Sequence, residues 1–174
     1  KGGYGIYYHF DYVGAPRNSK WININPIQRV WEQMNLAYSH GVDRLWIVNV
    51  EDLKPMECPI SFFLDMAWDP AQFNPHNLEE HTTAWAAQQF GATYAEEIAR
   101  ILTLYAKYNR RVTLEMLNER TYSLEHYGEF ERVVNEYRSL ALDAFRIHAQ
   151  LPDRYKDAYY QLVLYPVNAC SNLY

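Results

Sequence analysis

The stretch Gly5-Ile6-Tyr7-Tyr8-His9-Phe10-Asp11-Tyr12-Val13-Gly14 decides how the rest of the chain is read. It has the composition of a strand closed by a glycine-marked turn, and its side chains divide by parity, because successive strand residues point to opposite faces. Ile6, Tyr8, Phe10 and Tyr12 form an apolar set; Tyr7, His9 and Asp11 form a set that grows more polar toward Gly14. The apolar set suits helices packed against one side of a sheet. The other suits a site, since parallel α/β folds bind ligands at the carboxyl ends of their strands. A half-exposed antiparallel strand with a polar outer face is the alternative at this point.

The next segments favour the parallel arrangement. Asn25-Pro26 reads as an N-cap followed by proline at the first helical position. Ile27, Val30, Trp31, Met34, Ala37 and Tyr38 then recur at helical spacing, and Gly41 reads as the C-terminal cap. Arg44-Leu45-Trp46-Ile47-Val48-Asn49-Val50 is a nearly continuous apolar run, the pattern of a strand buried on both faces. Strand, helix and strand in this order predict a right-handed parallel crossover. Both strands then end on one edge, which brings Asn49 and Glu51 toward His9 and Asp11. Any one of these carboxylates also reads as a helix cap or ion-pair partner. The loop Ala15-Pro16-Arg17-Asn18-Ser19-Lys20-Trp21 offers two cations and an aromatic, or else a solvated loop tethered by its tryptophan.

A helix over residues 60–68 is expected between Pro59 and Asp69-Pro70, with a domain boundary in the loop over 69–80. Beyond it the pattern is helical throughout. One helix is predicted over 82–90, and a capping box, Thr93-Tyr94-Ala95-Glu96, opens a second with Tyr94, Ile98, Ile101, Tyr105 and Tyr108 inward. A short piece follows over 112–117, then a long helix over 126–150. A last helix runs from 152 to the end, kinked at Pro166. His81, His126 and His148 fall on these helices or their edges and read as structural.

The chain is 49% hydrophobic and 21% charged, which describes a folded globular protein. Its net charge of −5 and lack of a basic run argue against nucleic acid as a partner. No apolar run approaches the roughly 18 residues that cross a membrane. Sixteen tyrosines and five tryptophans fit either stacking on sugar rings or tyrosine-rich helix packing. Cys58 and Cys170 show no metal-binding spacing. The chain opens at Lys1-Gly2-Gly3 directly before a strong strand, which suggests a piece of a longer protein. Motifs for phosphate-binding loops, dinucleotides, serine nucleophiles and zinc proteases are all missing from the sequence.

The residues that carry this reading also carry a resemblance. The opening run from Lys1-Gly2-Gly3-Tyr4 through Gly14, then Trp31-Glu32-Gln33-Met34-Asn35-Leu36-Ala37-Tyr38, resemble glycoside hydrolase family 115. So do residues 44–50, Asp52-Leu53-Lys54-Pro55-Met56-Glu57 and Tyr160-Gln161-Leu162-Val163-Leu164-Tyr165-Pro166-Val167. The resemblance implies a xylan α-1,2-glucuronidase that removes glucuronic acid, or its 4-O-methyl ether, by inverting hydrolysis without metal or cofactor. It implies α/β plus all-α architecture, with residues 1–72 as the last strands and helices of a (β/α)8 TIM barrel and 73–174 as part of a helical bundle.

By the same resemblance His9 lines the glucuronate subsite, with Tyr7 and Tyr12 on the same wall. Asp11 is a polar lining residue or a partner that orients His9, and Asn49 lies at the neighbouring strand end. Arg17 and Lys54 are offered, from charge and position, as cations for the substrate carboxylate. The general acid and base are expected outside this chain. The expected partner is glucuronoxylan or its oligosaccharides, outside the cell or in the periplasm, with neither nucleic acid nor membrane, and a homodimeric parent is left open. A non-catalytic carbohydrate-binding or scaffolding protein of the same parts is the alternative. One departure stands out: Glu51 occupies a turn position where the family is expected to carry glycine. Either the turn is rebuilt in an ordinary conformation, or Glu51 adds negative charge near an anionic substrate.

Overall fold

The computed structural model of the chain describes residues 2–11 and 21–174. Two short strands, β1 (Gly5–His9) and β2 (Leu45–Asn49), pair in parallel across the helix α1 (Ile27–Ser39). The helices α2 (Glu57–Trp68), α3 (Leu78–Phe90), α4 (Ala95–Asn109), α5 (Glu129–Gln150), α6 (Asp153–Tyr159) and α7 (Tyr165–Leu173) follow.

The parallel crossover is present, and its register is Ile6 opposite Trp46, Tyr7 opposite Ile47, Tyr8 opposite Val48 and His9 opposite Asn49. Gly5 is required there, because a Cβ at that position would lie 2.9 Å from the Leu45 carbonyl oxygen. The even-numbered side of β1 packs inward. Ile6, Tyr8, Trp46 and Val48 lie against a buried cluster of Phe10, Ile27, Val30, Met34, Phe62, Phe63 and Met66. Phe63 is its hub, with ring contacts to Tyr8, Phe10 and Trp46 at centroid distances of 6.5, 6.1 and 6.0 Å.

Among the described residues nothing covers the opposite side of the sheet, where Tyr7, Leu45 and Ile47 are all exposed. β2 is therefore covered on one face only, and its apolar run does not mark burial on both. The larger expectation, the end of a (β/α)8 barrel, is also overturned. Among the described residues the sheet has two strands and no closure, and every element after β2 is helical. A closed barrel needs strands hydrogen-bonded around a full ring. After residue 69 the apolar residues repeat at helical spacing, so no segment there supplies one.

Local signals read well in outline and less well at the caps. Gly41, at φ 85°, ends α1, and the amides of Gly41 and Val42 bond to the carbonyls of Tyr38 and Ala37. Asn25 does not cap that helix. Pro26 takes the position, and the Asn25 amide instead donates to Asn23 Oδ1 at 2.8 Å. The expected capping box at Thr93 is not formed either. A single 3-10 turn, Ala92–Tyr94, leads into α4 with no side-chain cap. A kink is expected at Pro166; the structure has a π-helical turn, Tyr160–Leu164, between α6 and α7. Proline lacks the amide that would close the preceding α-helical turn, and widening that turn is one way to accommodate the loss.

The helices enclose a second buried cluster. Ile98, Ile101 and Tyr105 of α4 meet Val133, Tyr137, Leu140, Ala144 and Ile147 of α5, with Tyr159, Val163 and Val167 from the C-terminal helices. Tyrosine packing accounts for much of the aromatic richness. Tyr105, Tyr137 and Tyr159 are fully buried, and the Tyr159 hydroxyl donates to the Ala144 carbonyl at 3.1 Å. Arg100–Asp143 and Arg146–Glu97 pair across the α4–α5 surface. Such exposed pairs add little to stability, because water and salt screen them.

α2 and α3 each carry residues of both clusters, Cys58 with Phe62 and Trp85 with Leu78, and the segment before α1 adds a polar link. Ile22, although it precedes α1, is buried in the helical cluster. Beside it the Asn23 amide donates to the Tyr105 hydroxyl at 3.0 Å, and Asn109 Nδ2 donates to the Asn23 carbonyl at 3.3 Å. The Tyr137 hydroxyl donates to Asn109 Oδ1 at 2.9 Å. Asn109 is 1% exposed, so removing its amide strands two buried groups away from water. Asn109→Ala is expected to cost about 2–4 kcal/mol in urea unfolding; a loss below about 1 kcal/mol would show that the network does not hold the parts together.

Burial raises the Cys58 and Cys170 thiols from 9.0 to about 12, and it pushes the Tyr105 and Tyr159 hydroxyls up as well. In the unfolded chain these groups ionise at their ordinary values. The stability contributed by their neutral forms is therefore complete below pH 9 and is lost as pH climbs toward about 12. Urea midpoints measured across that window are expected to fall steadily, and a flat profile would contradict the burial of the thiols.

Candidate functional site

β1 ends at His9, and the Phe10 amide continues the pairing by donating to the Asn49 carbonyl at 2.8 Å. Asp11 lies two residues beyond the end of the strand. It is buried, at 5% exposure, and it faces a cleft of about 310 Å³. His9 and Asp11 line this cleft together with Asn25, Arg29, Gln33 and Arg110.

Three parts of the chain build the cleft. The strand end supplies His9 and Asp11. The first turns of α1 supply Arg29 and Gln33, four residues apart and so on one helical face. The segment after α4 supplies Arg110 and Thr113. Arg29 is held by Glu32 at 2.6 Å. Arg110 has no ion-pair partner among the described residues, which leaves its guanidinium available to an anion. A cleft with a histidine, an amide pair, an arginine in no ion pair and one buried carboxylate, Asp11, suits a polar ligand.

Tyr7 and Asn49 line a different opening. They lie with Ile47 and Glu51 along a shallow hollow of about 430 Å³ on the open side of the sheet. The His9 ring lies 4.4 Å from that of Tyr7, centroid to centroid, at the border of the two openings. Lys54 belongs to neither. Its ammonium donates to Gln161 Oε1 at 3.2 Å, and Gln161 Nε2 donates to Glu57 Oε1 at 2.8 Å. The π-helical turn thus fastens the segment after β2 to the helical part, and Lys54 is engaged in that fastening. Tyr12 and Arg17 lie outside the described residues.

Arg29, Gln33, Arg110 and Thr113 were not legible as site residues. The i, i+4 spacing of Arg29 and Gln33 beside a strand end is a weak signal that could have suggested them. Nothing in the sequence places Arg110, some hundred residues away, beside His9.

Glu51 settles the conformation of its turn. It sits at φ 59°, in the left-handed region, and its amide donates to Asn49 Oδ1 at 3.1 Å. The turn keeps the geometry that glycine would favour and is not rebuilt in an ordinary one. Glu51→Val is expected to be less stable than Glu51→Gly by about 1–2 kcal/mol, because a β-branched residue resists this conformation most. Equal unfolding midpoints for the two variants would contradict the left-handed turn.

None of the described helices is long and apolar enough to cross a membrane. No curated protein sequence matches the chain significantly. Among solved structures, a family GH115 4-O-methyl-alpha-glucuronidase with specificity for decorated arabinogalactans aligns at a TM-score of 0.85 and 27% identity. The alignment covers 99% of this chain and 24% of that protein, so the present chain spans about a quarter of its length. The sequence model for glycosyl hydrolase family 115 matches residues 1–116 of the 174. The strand–helix–strand unit, the cleft at its carboxyl end and the first helices of the bundle all fall within those residues, and the chain belongs to glycosyl hydrolase family 115.

Proposed function

We propose that this chain is part of a glucuronidase that hydrolyses glucuronic acid, or its 4-O-methyl ether, from a decorated polysaccharide outside the cell or in the periplasm. The observation that carries the reading is the alignment of 99% of the chain with a 4-O-methyl-alpha-glucuronidase, together with membership of the family. The backbone of the polysaccharide is a separate question. Resemblance to the family suggests glucuronoxylan, whereas the aligned enzyme is described as specific for decorated arabinogalactans. The glucuronyl side group is common to both, and it is a polar ligand of the kind this cleft suits.

In this reading His9 donates to a sugar hydroxyl and Tyr7 and Tyr12 form the adjoining wall. Asp11 provides polar lining, and Asn49 borders the site from β2. Arg110 replaces Lys54 as the cation offered to the carboxylate, since Lys54 is engaged by Gln161. Arg17 stays a candidate by its charge. Inverting hydrolysis needs one carboxylic acid to protonate the leaving oxygen and a carboxylate to take a proton from the attacking water, roughly 6.5–9.5 Å apart. Asp11 is the only carboxylate among the described residues that line the cleft. That supports an acid and base contributed from outside this chain.

The test uses the full-length parent, wild type and His9→Ala, on 4-O-methylglucuronoxylan and on glucuronic-acid-bearing arabinogalactan, with released uronic acid as the readout. Wild type is expected to release it from at least one polymer. His9→Ala is expected to lose more than about 100-fold in kcat/KM, roughly 2.7 kcal/mol of transition-state stabilisation, with its circular dichroism unchanged. A wild-type parent that releases no uronic acid from either polymer would sink the enzymatic reading.

A further inference from the structure

A groove of about 570 Å³ runs between α4 and α5 and shares no lining residue with the strand-end cleft. Leu104 and Tyr108 of α4 form its apolar side. Asn135 and Ser139, four residues apart on α5, present hydrogen-bonding groups along the other. Tyr127 stands at one end with 96% of its surface exposed.

Among the described residues, the Tyr127 ring meets the His126 ring at a centroid distance of 6.3 Å and is otherwise uncovered. An exposed aromatic gains no burial free energy, and its backbone is at φ 59°, a left-handed conformation that bulky residues rarely adopt. The next residue, Gly128, is also left-handed, at φ 58°. Together they raise the Tyr127 ring at the mouth of the groove. Next to it Arg132 Nη1 donates to the Tyr127 carbonyl at 3.3 Å. The groove is lined by Glu131 and Glu136 as well as by Arg100 and Arg132. Arg100 is paired with Asp143 and Arg111 with Glu136, whereas Arg132 has no carboxylate partner among the described residues.

We propose that this groove binds a uronate-bearing polysaccharide chain, with a sugar ring stacked on Tyr127 and a uronate carboxylate on Arg132. A flat, exposed ring gives area at little cost in side-chain entropy. The Arg132 guanidinium beside it, which makes no ion pair among the described residues, can take a uronate carboxylate in two parallel hydrogen bonds, and Glu131 on the same groove disfavours anions that do not reach it. Asn135 and Ser139 can each donate to and accept from hydroxyls along the chain. The choice of ligand rests on the glucuronidase reading above; the groove itself does not.

The test compares wild-type full-length parent with Tyr127→Ala and Arg132→Gln. Both positions are exposed, so the variants are expected to fold. Retardation is measured in gels containing 4-O-methylglucuronoxylan or the same polymer with its carboxylates reduced, a readout that needs no hydrolysis. Tyr127→Ala is expected to weaken binding to the acidic polymer by about tenfold. Arg132→Gln is expected to abolish the preference for the acidic over the reduced polymer. In kinetics, Tyr127→Ala is expected to raise KM on the polymer and to leave KM and kcat on a short aldouronic oligosaccharide unchanged. Unchanged retardation of Tyr127→Ala would overturn the proposal, as would an equal rise in KM on polymer and oligosaccharide. A wild-type parent that is retarded but releases no uronic acid would sink the enzymatic reading and leave the groove standing.

Discussion

Asn109 sits at the end of α4 with its amide shared between the carbonyl of Asn23 and the hydroxyl of Tyr137. These bonds are out of water, and the Tyr105 hydroxyl closes the set by accepting from the Asn23 amide. The net gain from each bond is modest, about 0.5–1.5 kcal/mol, whereas a stranded buried partner costs more than the bond gives. The segment before α1 is therefore fixed against the helical bundle, with Ile22 buried beside it. α2 and α3 also carry residues of both hydrophobic clusters, but the placement of the segment before α1 depends on this connection, because that segment carries no regular structure of its own.

The consequence reaches the candidate site. α1 starts directly after the clamped segment, so the clamp sets where Arg29 and Gln33 stand relative to the end of β1. The same helix that holds Asn109 ends one residue before Arg110, which lines the cleft opposite His9. A second tie, from Gln161 in the π-helical turn to Lys54 and Glu57, fastens the segment that follows β2. The helical part is thus more than an appendage. It forms one wall of the cleft and restrains a second loop beside it.

The sheet gives the opposite impression. Its inner face is filled by Phe63 and its neighbours, but Tyr7, Leu45 and Ile47 present an apolar outer face with no cover within the described residues. An apolar sheet face, and strand edges unpaired among the described residues, are unfavourable in water. They fit a chain that spans about a quarter of the length of the solved enzyme with which it aligns.

Sequence alone determined the local order of the chain, because that order depends on neighbours in sequence. Parity in β1, the 3.6-residue repeat of the helices, Gly41 as a helix end and Pro166 as an interruption are all properties of a few adjacent residues. The parallel crossover followed from them. Caps were harder: Asn25 and Thr93 have capping chemistry, but each competes with longer-range partners or a 3-10 turn. Family membership was also legible, through long runs such as residues 4–14. What only the tertiary structure decided was everything that joins distant segments. The burial of Asp11, the meeting of His9 with Arg110, the engagement of Lys54 by Gln161 and the one-sided cover of β2 depend on which surfaces meet across a hundred residues. Composition and periodicity carry no record of that, since a side chain's chemistry is set by its own residue and its neighbourhood is set by the fold.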